Sequence, residues 1–332
     1  MVVETFELAC FVPSRADGRA LEAEVVLAGQ GALGGTAAVY IHPYAPLGGQ
    51  MQNNVMQELG SRLDRRVAVS VAFNLRGAGR SEGRTSWTGA AEQEDLRSVL
   101  DMLAAGRLPL HPRFHSSADC RSLLAQMRAR GFLPPDVSTS VDRPDAIPLP
   151  PVSHTLLCGY SYGAMLAASV APADYPQLAI DYALVSYPYS VLWALALQRR
   201  GWYLQRLATT ICDAAVADAE NAAKAAPASN SDSARAGSVA SAASAHAPRT
   251  LFVAGSADNF TSMASYDRWW EQLHAKALQA LHPHMASDAA AAHAISHALT
   301  IARVANADHG WLRRESEVAD AIVAWWTPLQ DA

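Results

Sequence analysis

The sequence predicts an α/β fold with a mainly parallel sheet and helices on both of its faces. Strand-like apolar runs alternate with helical patterns over most of the 332 residues. The inner runs, such as Val67–Phe73 and Thr250–Ala254, are almost continuously hydrophobic. Strands of that kind are covered on both faces, as in a parallel sheet between two layers of helices.

Eight segments have the composition of strands, and the first two are predicted to form an antiparallel pair. In chain order they are Thr5–Val12, Leu21–Leu27, Ala37–Ile41, Val67–Phe73, His154–Cys158, Tyr182–Ser186, Thr250–Ala254 and Leu299–Val304.

Helices are predicted between these strands where apolar residues recur every three or four positions. The first carries Met51, Val55, Met56, Leu59 and Leu63 on one face. The other predicted helices are Ala90–Leu103, Tyr162–Val170 and Glu317–Trp326.

Two stretches interrupt the alternation within what we predict to be a single domain, residues 1–332. Residues 106–152 are rich in proline, which excludes a long helix or central strand, and are predicted to be an insertion with a short helix at Arg121–Arg130. Residues 214–248 are dominated by alanine and serine; Asp213–Ala226 has a helical composition, and the rest is predicted to be a flexible loop. Residues 187–212 are a candidate cap over the site.

The composition narrows the function classes. Half of the residues are hydrophobic and the net charge is -5, which argues against a nucleic-acid binder. The four cysteines are far apart, the N-terminus does not look like a signal peptide, and no apolar run has membrane-spanning length. We therefore expect a cytoplasmic protein with no membrane span.

The most informative motif is Gly159-Tyr160-Ser161-Tyr162-Gly163, which joins the fifth predicted strand to a helix. A strand that turns sharply into a helix at G-x-S-x-G exposes a serine hydroxyl at the top of a sheet. Glycine is needed two residues to either side because a Cβ there would collide with neighbouring backbone. Ser161 is therefore predicted to be a nucleophile, and the alternative is an ordinary buried turn serine.

A serine nucleophile needs a base within hydrogen-bond distance and an acid that orients the base. Asp258 follows the seventh predicted strand and His309 the eighth, so both should lie at the same sheet edge as Ser161. The chain order thus predicts a catalytic triad. Asp258 as a simple turn former is the alternative, and Asp308 and Asp267 are weaker candidates for the acid.

Two backbone N–H groups are expected to bind the oxyanion that forms in acyl transfer. One belongs to Tyr162, at the start of the helix after Ser161. The other should come from the loop after the third strand, where Pro43 has no N–H and Tyr44 is the candidate. His42 is predicted to shape this loop through hydrogen bonds.

Five motifs in order resemble the α/β-hydrolase superfamily. The nearest branch is the small predicted hydrolases with an H-P-x-P-x-x-G-G loop and an F-N-x-R-G-x-G-x-S-E-G turn. The motifs are residues 41–49 (IHPYAPLGG), 73–83 (FNLRGAGRSEG), 159–163, 255–258 and 307–309. The resemblance covers most of the chain outside 106–152 and 214–248. It implies an eight-stranded, mostly parallel sheet with Ser161, Asp258 and His309 as triad, and it makes Arg76 and Ser81 loop braces.

The resulting expectation is a serine hydrolase that cleaves a carboxylic ester or thioester of a small molecule through an acyl-enzyme on Ser161. Tyr187, Tyr189 and Trp193, after the sixth strand, are candidates for the substrate pocket, with ordinary packing against the sheet as the alternative. Two other functions stay open. One is a peptidase of the oligopeptidase kind with the same triad, and the other is a non-catalytic interaction protein that binds a protein partner through its insertions.

No cofactor and no metal are expected. Five histidines late in the chain raise a metal hypothesis, but they lack an intervening acidic pattern. They are His274, His282, His284, His293 and His297. No phosphate-binding loop or dinucleotide fingerprint follows a predicted strand.

Overall fold

The computed structural model describes residues 3–133, 146–225, 246–283 and 288–326. All eight predicted strands are present in one sheet, and a second, two-stranded sheet was not predicted. The strands are β1 (Thr5–Pro13), β2 (Ala20–Ala28), β3 (Leu33–Ile41), β4 (Val67–Phe73), β5 (Arg107–Pro109), β6 (Ala146–Pro148), β7 (His154–Tyr160), β8 (Ala179–Val185), β9 (Thr250–Gly255) and β10 (Leu299–Val304).

The large sheet has the order β1-β2-β4-β3-β7-β8-β9-β10. β1 pairs with β2, and β2 with β4, in antiparallel register, whereas every pair from β4 to β10 is parallel. The mostly parallel sheet with an antiparallel opening is therefore confirmed.

Helices cover both faces of this sheet. They are α1 (Asn54–Leu63), α2 (Ala90–Ala105), α3 (Ser117–Ala129), α4 (Tyr162–Ala167), α5 (Leu192–Ala196), α6 (Arg200–Ala225), α7 (Met263–Leu281), α8 (Asp288–Ala298) and α9 (Glu315–Trp326). In α1, Val55, Met56, Leu59 and Leu63 are buried as the spacing predicts, whereas Met51 is buried but precedes the helix.

The alternation of side chains along the strands creates two hydrophobic clusters. Leu156 and Leu251 belong to the cluster under α1 and α9. Their neighbours Leu157 and Phe252 belong to the cluster under α2, α4 and α7. Because successive strand residues point to opposite faces, one apolar run supplies both clusters.

The two interrupting stretches differ in structure. In residues 106–152, α3 begins before the predicted short helix, with Ser116 and Asp119 forming a capping box, and β5 pairs with β6. The second stretch starts inside α6, where Ala214 and Ala219 pack in one cluster with Ala277 of α7 and Ile295 of α8. The predicted flexible part of that stretch falls largely on 226–245, outside the described residues.

Candidate active site

Ser161 occupies the sharp turn between β7 and α4. Its φ is 54° and its ψ is -112°, a backbone conformation that non-glycine residues rarely adopt. The flanking glycines make the turn possible. A Cβ on Gly163 would collide with the carbonyl of Ile41, and one on Gly159 would collide with Ala164. The β7 register, which pairs Gly159 with Ile41, brings these backbones together.

His309 and Asp258 lie beside Ser161, as predicted from their positions after β10 and β9. The Nε2 atom of His309 is 2.9 Å from the Oγ atom of Ser161. The Nδ1 atom of His309 is 2.9 Å from an oxygen of Asp258. Because a carboxylate only accepts hydrogen bonds, Nδ1 carries the proton and Nε2 is left to accept the serine hydroxyl.

The carboxyl group of Asp258 is fully buried and held from both sides. Its second oxygen accepts the N–H groups of Phe260 at 2.8 Å and Thr261 at 3.0 Å. Burial by itself raises the pKa of Asp258, but the hydrogen bond and charge of His309, with the two N–H groups, outweigh burial and lower it. The acid is therefore an anion at neutral pH.

The carbonyl of His309 also has a fixed partner. The hydroxyl of Tyr160, the residue before the turn serine, donates to it at 2.5 Å. Tyr160 was not singled out from the sequence, although it lies within the G-x-S-x-G motif. This bond ties the loop after β10 to the end of β7.

The predicted oxyanion donors, the N–H groups of Tyr44 and Tyr162, have no acceptor among the described residues. The rings of these two tyrosines lie 5.0 Å apart, so the loop after β3 adjoins the start of α4. Both N–H groups are therefore available to a ligand.

His42 holds the Tyr44 loop, as predicted. Its Nδ1 lies 2.6 Å from the carbonyl of Pro43, and its Nε2 accepts the N–H of Leu75 at 3.0 Å. Burial lowers the pKa of His42 to about 4, so the ring is neutral at pH 7. Neutral His42 donates from Nδ1 and accepts at Nε2, which fixes the loop after β3 to the loop after β4.

Arg76 and Ser81 stabilise the loop after β4 through hydrogen bonds, again as predicted. Two guanidinium nitrogens of Arg76 donate to the two oxygens of Asp95, at 2.8 and 2.6 Å. The hydroxyl of Ser81 donates to the carbonyl of Asn74 and accepts the N–H of Glu22. These bonds lie within the β4 loop and its neighbours and do not reach Ser161.

A cavity of about 490 Å³ opens at Ser161 and His309. Its walls are mostly apolar, and its described lining contains no lysine, arginine, aspartate or glutamate. The lining residues other than Ser161 and His309 are Pro43, Tyr44, Leu47, Gly48, Gly49, Asn53, Tyr160, Val191, Ala194, Leu195 and Phe260.

The structure corrects the predicted pocket residues, none of which lines this cavity. Tyr187 is buried with its ring 4.9 Å from that of Trp269, and Tyr189 stacks on the same indole at 4.6 Å. Trp193 is 65% exposed. The segment after β8 packs its two tyrosines against α7, and the neighbouring aliphatic residues of α5 line the cavity instead.

Three solved structures with a similar architecture come from different organisms. An α/β serine hydrolase without a lid from Xanthomonas campestris has a TM-score of 0.51 at 17% identity, covering 98% of this chain and 95% of its own. A serine hydrolase homologue from Coxiella burnetii has a TM-score of 0.51 at 18% identity, and the match covers 98% of this chain and 97% of that one. Est1E from Butyrivibrio proteoclasticus, solved with ferulic acid, has a TM-score of 0.54 at 10% identity, and the match covers 98% of this chain and 100% of that one.

The chain has the α/β-hydrolase fold. At these identities the likeness shows the fold alone. No protein-family model and no curated protein matches the chain. Within the part of the chain that the structure describes, no helix combines the length and apolar character of a membrane span.

A candidate metal-ligand cluster lies at the opposite, amino-terminal edge of this α/β-hydrolase sheet. His154, Asp181 and His246 place their ligand atoms within 4.8 Å of one another. Each imidazole Nε2 is 2.9 Å from a different oxygen of Asp181, and Arg249 donates to both oxygens, at 2.8 Å from its backbone N–H and 3.2 Å from its guanidinium. The cluster has the atoms to hold a divalent cation, but four hydrogen bonds, one of them from a guanidinium, already satisfy the carboxylate.

Sequence reasoning missed this cluster because its members come from three separate segments of the chain. The five histidines of the metal hypothesis do not form a cluster with other ligands among the described residues. His297 pairs instead with Asp218 at 3.0 Å, and His284 lies outside the described residues.

Proposed function

We propose that the protein is a serine hydrolase that cleaves a carboxylic ester or thioester through an acyl-enzyme on Ser161. The observation that carries this proposal is the hydrogen-bonded series Ser161–His309–Asp258, with both bonds at 2.9 Å, at the mouth of an apolar cavity. The motif resemblance to the small predicted hydrolases agrees with it.

The first half-reaction forms the acyl-enzyme. The Oγ atom of Ser161 attacks the carbonyl carbon of the substrate while the Nε2 atom of His309 takes the hydroxyl proton. Asp258 stabilises the resulting imidazolium, because its carboxylate is buried and anionic. The tetrahedral intermediate then collapses, and His309 returns the proton to the departing alcohol or thiol.

The second half-reaction releases the acyl group. Water gives a proton to His309 and attacks the acyl carbon, and the proton returns to Ser161 as the ester bond to the enzyme breaks. In both halves the N–H groups of Tyr44 and Tyr162 are proposed to stabilise the oxyanion. Each such donor contributes roughly two to three orders of magnitude to turnover in serine hydrolases.

The cavity favours an ester or thioester over a peptide terminus. An exopeptidase needs a charged anchor for the terminal amine or carboxylate of its substrate. The described lining provides apolar side chains such as Leu47, Leu195 and Phe260, and the amide of Asn53, but no ionised anchor. An uncharged acyl or alcohol group matches this surface better.

Labelling with a fluorophosphonate tests the proposal. The native chain should form one covalent adduct, located by peptide mass on Ser161, and should hydrolyse p-nitrophenyl butyrate or an acyl thioester. Ser161→Ala should abolish both activities. Ser190→Ala is the matched control, since Ser190 is exposed beside the lining residue Val191 and, among the described residues, only its backbone N–H has a hydrogen-bond partner.

Two results would overturn the proposal. One is an adduct that persists in folded Ser161→Ala protein, which would place the nucleophile elsewhere. The other is a folded native chain that neither reacts with the probe nor cleaves any ester or thioester, which would favour the interaction-protein alternative. Faster cleavage of amino-acid p-nitroanilides than of esters would instead support the peptidase.

A further inference from the structure

Exposed apolar side chains are concentrated at the catalytic edge of the sheet. Of the nine large hydrophobic residues that are exposed in the described chain, seven lie in segments that follow the strands β3, β4, β8, β9 and β10. Because these strands are parallel, the segments after them meet at one edge, the edge that carries Ser161. Of the other two, Phe114 stacks on Phe11 near the end of β1, and β2, β4 and β3 separate β1 from the strand that leads to Ser161. Leu278 lies near the end of α7.

Four of these residues line the cavity or lie within three residues of one that does, and they are called here the apolar rim: Leu47, Trp193, Phe260 and Leu312. Leu47 and Phe260 line the cavity, and the ring of Phe260 is 4.3 Å from that of His309. Trp193 adjoins a lining residue on α5, and Leu312 is three residues beyond His309. Their exposed fractions are 74% for Leu47, 65% for Trp193, 38% for Phe260 and 74% for Leu312.

Two further indoles extend the apolar rim along the same edge. Trp87 is 78% exposed in the loop after β4, and Trp202 is 39% exposed at the start of α6. The hydroxyl of Tyr203 donates to the carbonyl of Thr88 at 3.0 Å, which joins the segments that carry these two indoles. Exposed apolar residues gathered at one edge, and not scattered singly over the surface, are typical of an interaction surface.

Three arginines near the apolar rim lack a carboxylate partner in the described part of the chain, although the whole chain is acidic. Arg199, Arg200 and Arg313 have no carboxylate partner among the described residues. Arg199 lies 4.3 Å above the ring of Trp202. Two carboxylates lie near the same segment: Asp308 accepts the N–H groups of residues 310 and 311, and Glu315 accepts the amide of Asn54 and the N–H of Arg313.

We propose that the apolar rim and its arginines dock the protein on an anionic lipid surface, from which the cavity takes its acyl substrate. Exposed tryptophan together with unpaired arginine is the combination that binds the interface of an anionic membrane, with indoles at the headgroup level and cations beside the phosphates. The rim is continuous with the cavity, so an acyl chain passes from the lipid to Ser161 without crossing water. The substrate part of this inference rests on the proposed function, whereas docking does not.

Vesicle flotation with full-length Ser161→Ala protein tests docking without turnover. The protein should float with vesicles of phosphatidylcholine and phosphatidylglycerol, with a blue shift of tryptophan emission, and should bind pure phosphatidylcholine vesicles less. The double variant Trp193→Ser and Leu312→Ser should lower the partition coefficient by at least about tenfold. The matched control, Phe114→Ser and Leu278→Ser, removes exposed apolar residues that do not line the cavity or adjoin its lining, and should bind within about twofold of the parent.

The arginines have their own test. Arg199→Gln with Arg313→Gln should remove most of the preference for phosphatidylglycerol, and 0.5 M salt should act in the same direction because it screens charges. Folding of each variant is checked by its thermal transition.

Three results would overturn docking on lipid. They are no flotation with either kind of vesicle, an equal loss of vesicle binding in the rim and control variants, and a dimer of the parent protein in solution that dissociates in the rim variant. Fluorophosphonate labelling of the native chain is unaffected by any of them, so failure of docking and failure of the proposed function are distinguishable.

Discussion

Replacing Asp258 by asparagine changes one oxygen to an amide nitrogen, and the surroundings decide which one. One carboxylate oxygen of Asp258 accepts the N–H groups of Phe260 and Thr261, and only an oxygen is tolerated there. In Asp258→Asn the NH₂ group therefore takes the other position, facing Nδ1 of His309 at the present 2.9 Å. That nitrogen must then accept, so the ring proton moves to Nε2.

A protonated Nε2 cannot take the proton of Ser161. The enzyme is left with the wrong tautomer in an otherwise unchanged site, and an aspartate-to-asparagine change of this kind in a serine protease lowers turnover by about four orders of magnitude. At 1.36 kcal/mol per tenfold change in rate, the loss is about 5 kcal/mol of transition-state stabilisation. We expect Asp258→Asn to fold and to lose turnover on that scale.

The assay is turnover of p-nitrophenyl butyrate, with the rate of fluorophosphonate labelling as a second readout. Asp308→Asn is the matched control, because the asparagine oxygen can still accept the N–H groups of Gly310 and Trp311. It should retain activity within about twofold. Nearly full activity in Asp258→Asn, or a larger loss in Asp308→Asn, would refute the assigned orientation of His309.

Three other predictions concern the scaffold. Asp181→Asn should lower the free energy of unfolding by about 3 to 5 kcal/mol at pH 7, measured by urea denaturation, because it leaves buried cationic and N–H partners uncompensated. Dialysis against EDTA should leave the thermal transition unchanged, since the Asp181 carboxylate is satisfied by hydrogen bonds without a metal. Gly163→Ala should abolish labelling and destabilise the fold, because its Cβ would overlap the carbonyl of Ile41, whereas Gly34→Ala, with open space around its Cβ, should do neither.

The stability that Asp181 contributes depends on pH. Burial raises the pKa of Asp181, but the hydrogen bonds and charges of the two imidazoles outweigh burial, so the folded pKa lies far below the unfolded value of about 3.9. Its stabilisation is therefore fully present above about pH 4 and is lost as the pH falls toward the folded pKa. Equal urea midpoints for the native chain and Asp181→Asn at pH 7 would contradict this argument. A lower transition temperature after dialysis against EDTA would contradict the second prediction.

The sequence was most informative where backbone chemistry restricts the choice of residues. All eight strands of the large sheet follow from apolar runs, and the turn at Ser161 follows from glycines that no other residue could replace without overlap. Asp258 and His309 follow from chain order, because each comes directly after a parallel strand. Those predictions rest on local pattern and on one topological rule.

The remaining features depend on packing over long distances. The cluster between α6, α7 and α8 consists mostly of alanines, so α8 has no strong apolar stripe in the sequence. α7 has one, with Trp269, Leu273, Ala277 and Leu281 buried at helical spacing, although it is missing from the predicted helices. The cavity wall depends on which side of α5 faces Ser161, so aromatic content alone selected Tyr187 and Tyr189 wrongly. The His154–Asp181–His246 cluster depends on β7 and β8 being neighbours in the sheet.

The chain thus contains buried aspartates bound to histidine at both edges of one sheet, and the histidine–aspartate pair is not what distinguishes a catalytic site. At Asp181 the carboxylate is shared by two imidazoles and a guanidinium, and its neighbours include no strained serine. At Asp258 the carboxylate holds one imidazole, whose other nitrogen faces Ser161 on a positive-φ turn beside an open cavity. A proton that leaves Ser161 has an acceptor, and the attacking oxygen has space for a substrate. These two features, which follow from the turn and the cavity, are the reason for proposing that the chemistry takes place at the carboxyl edge.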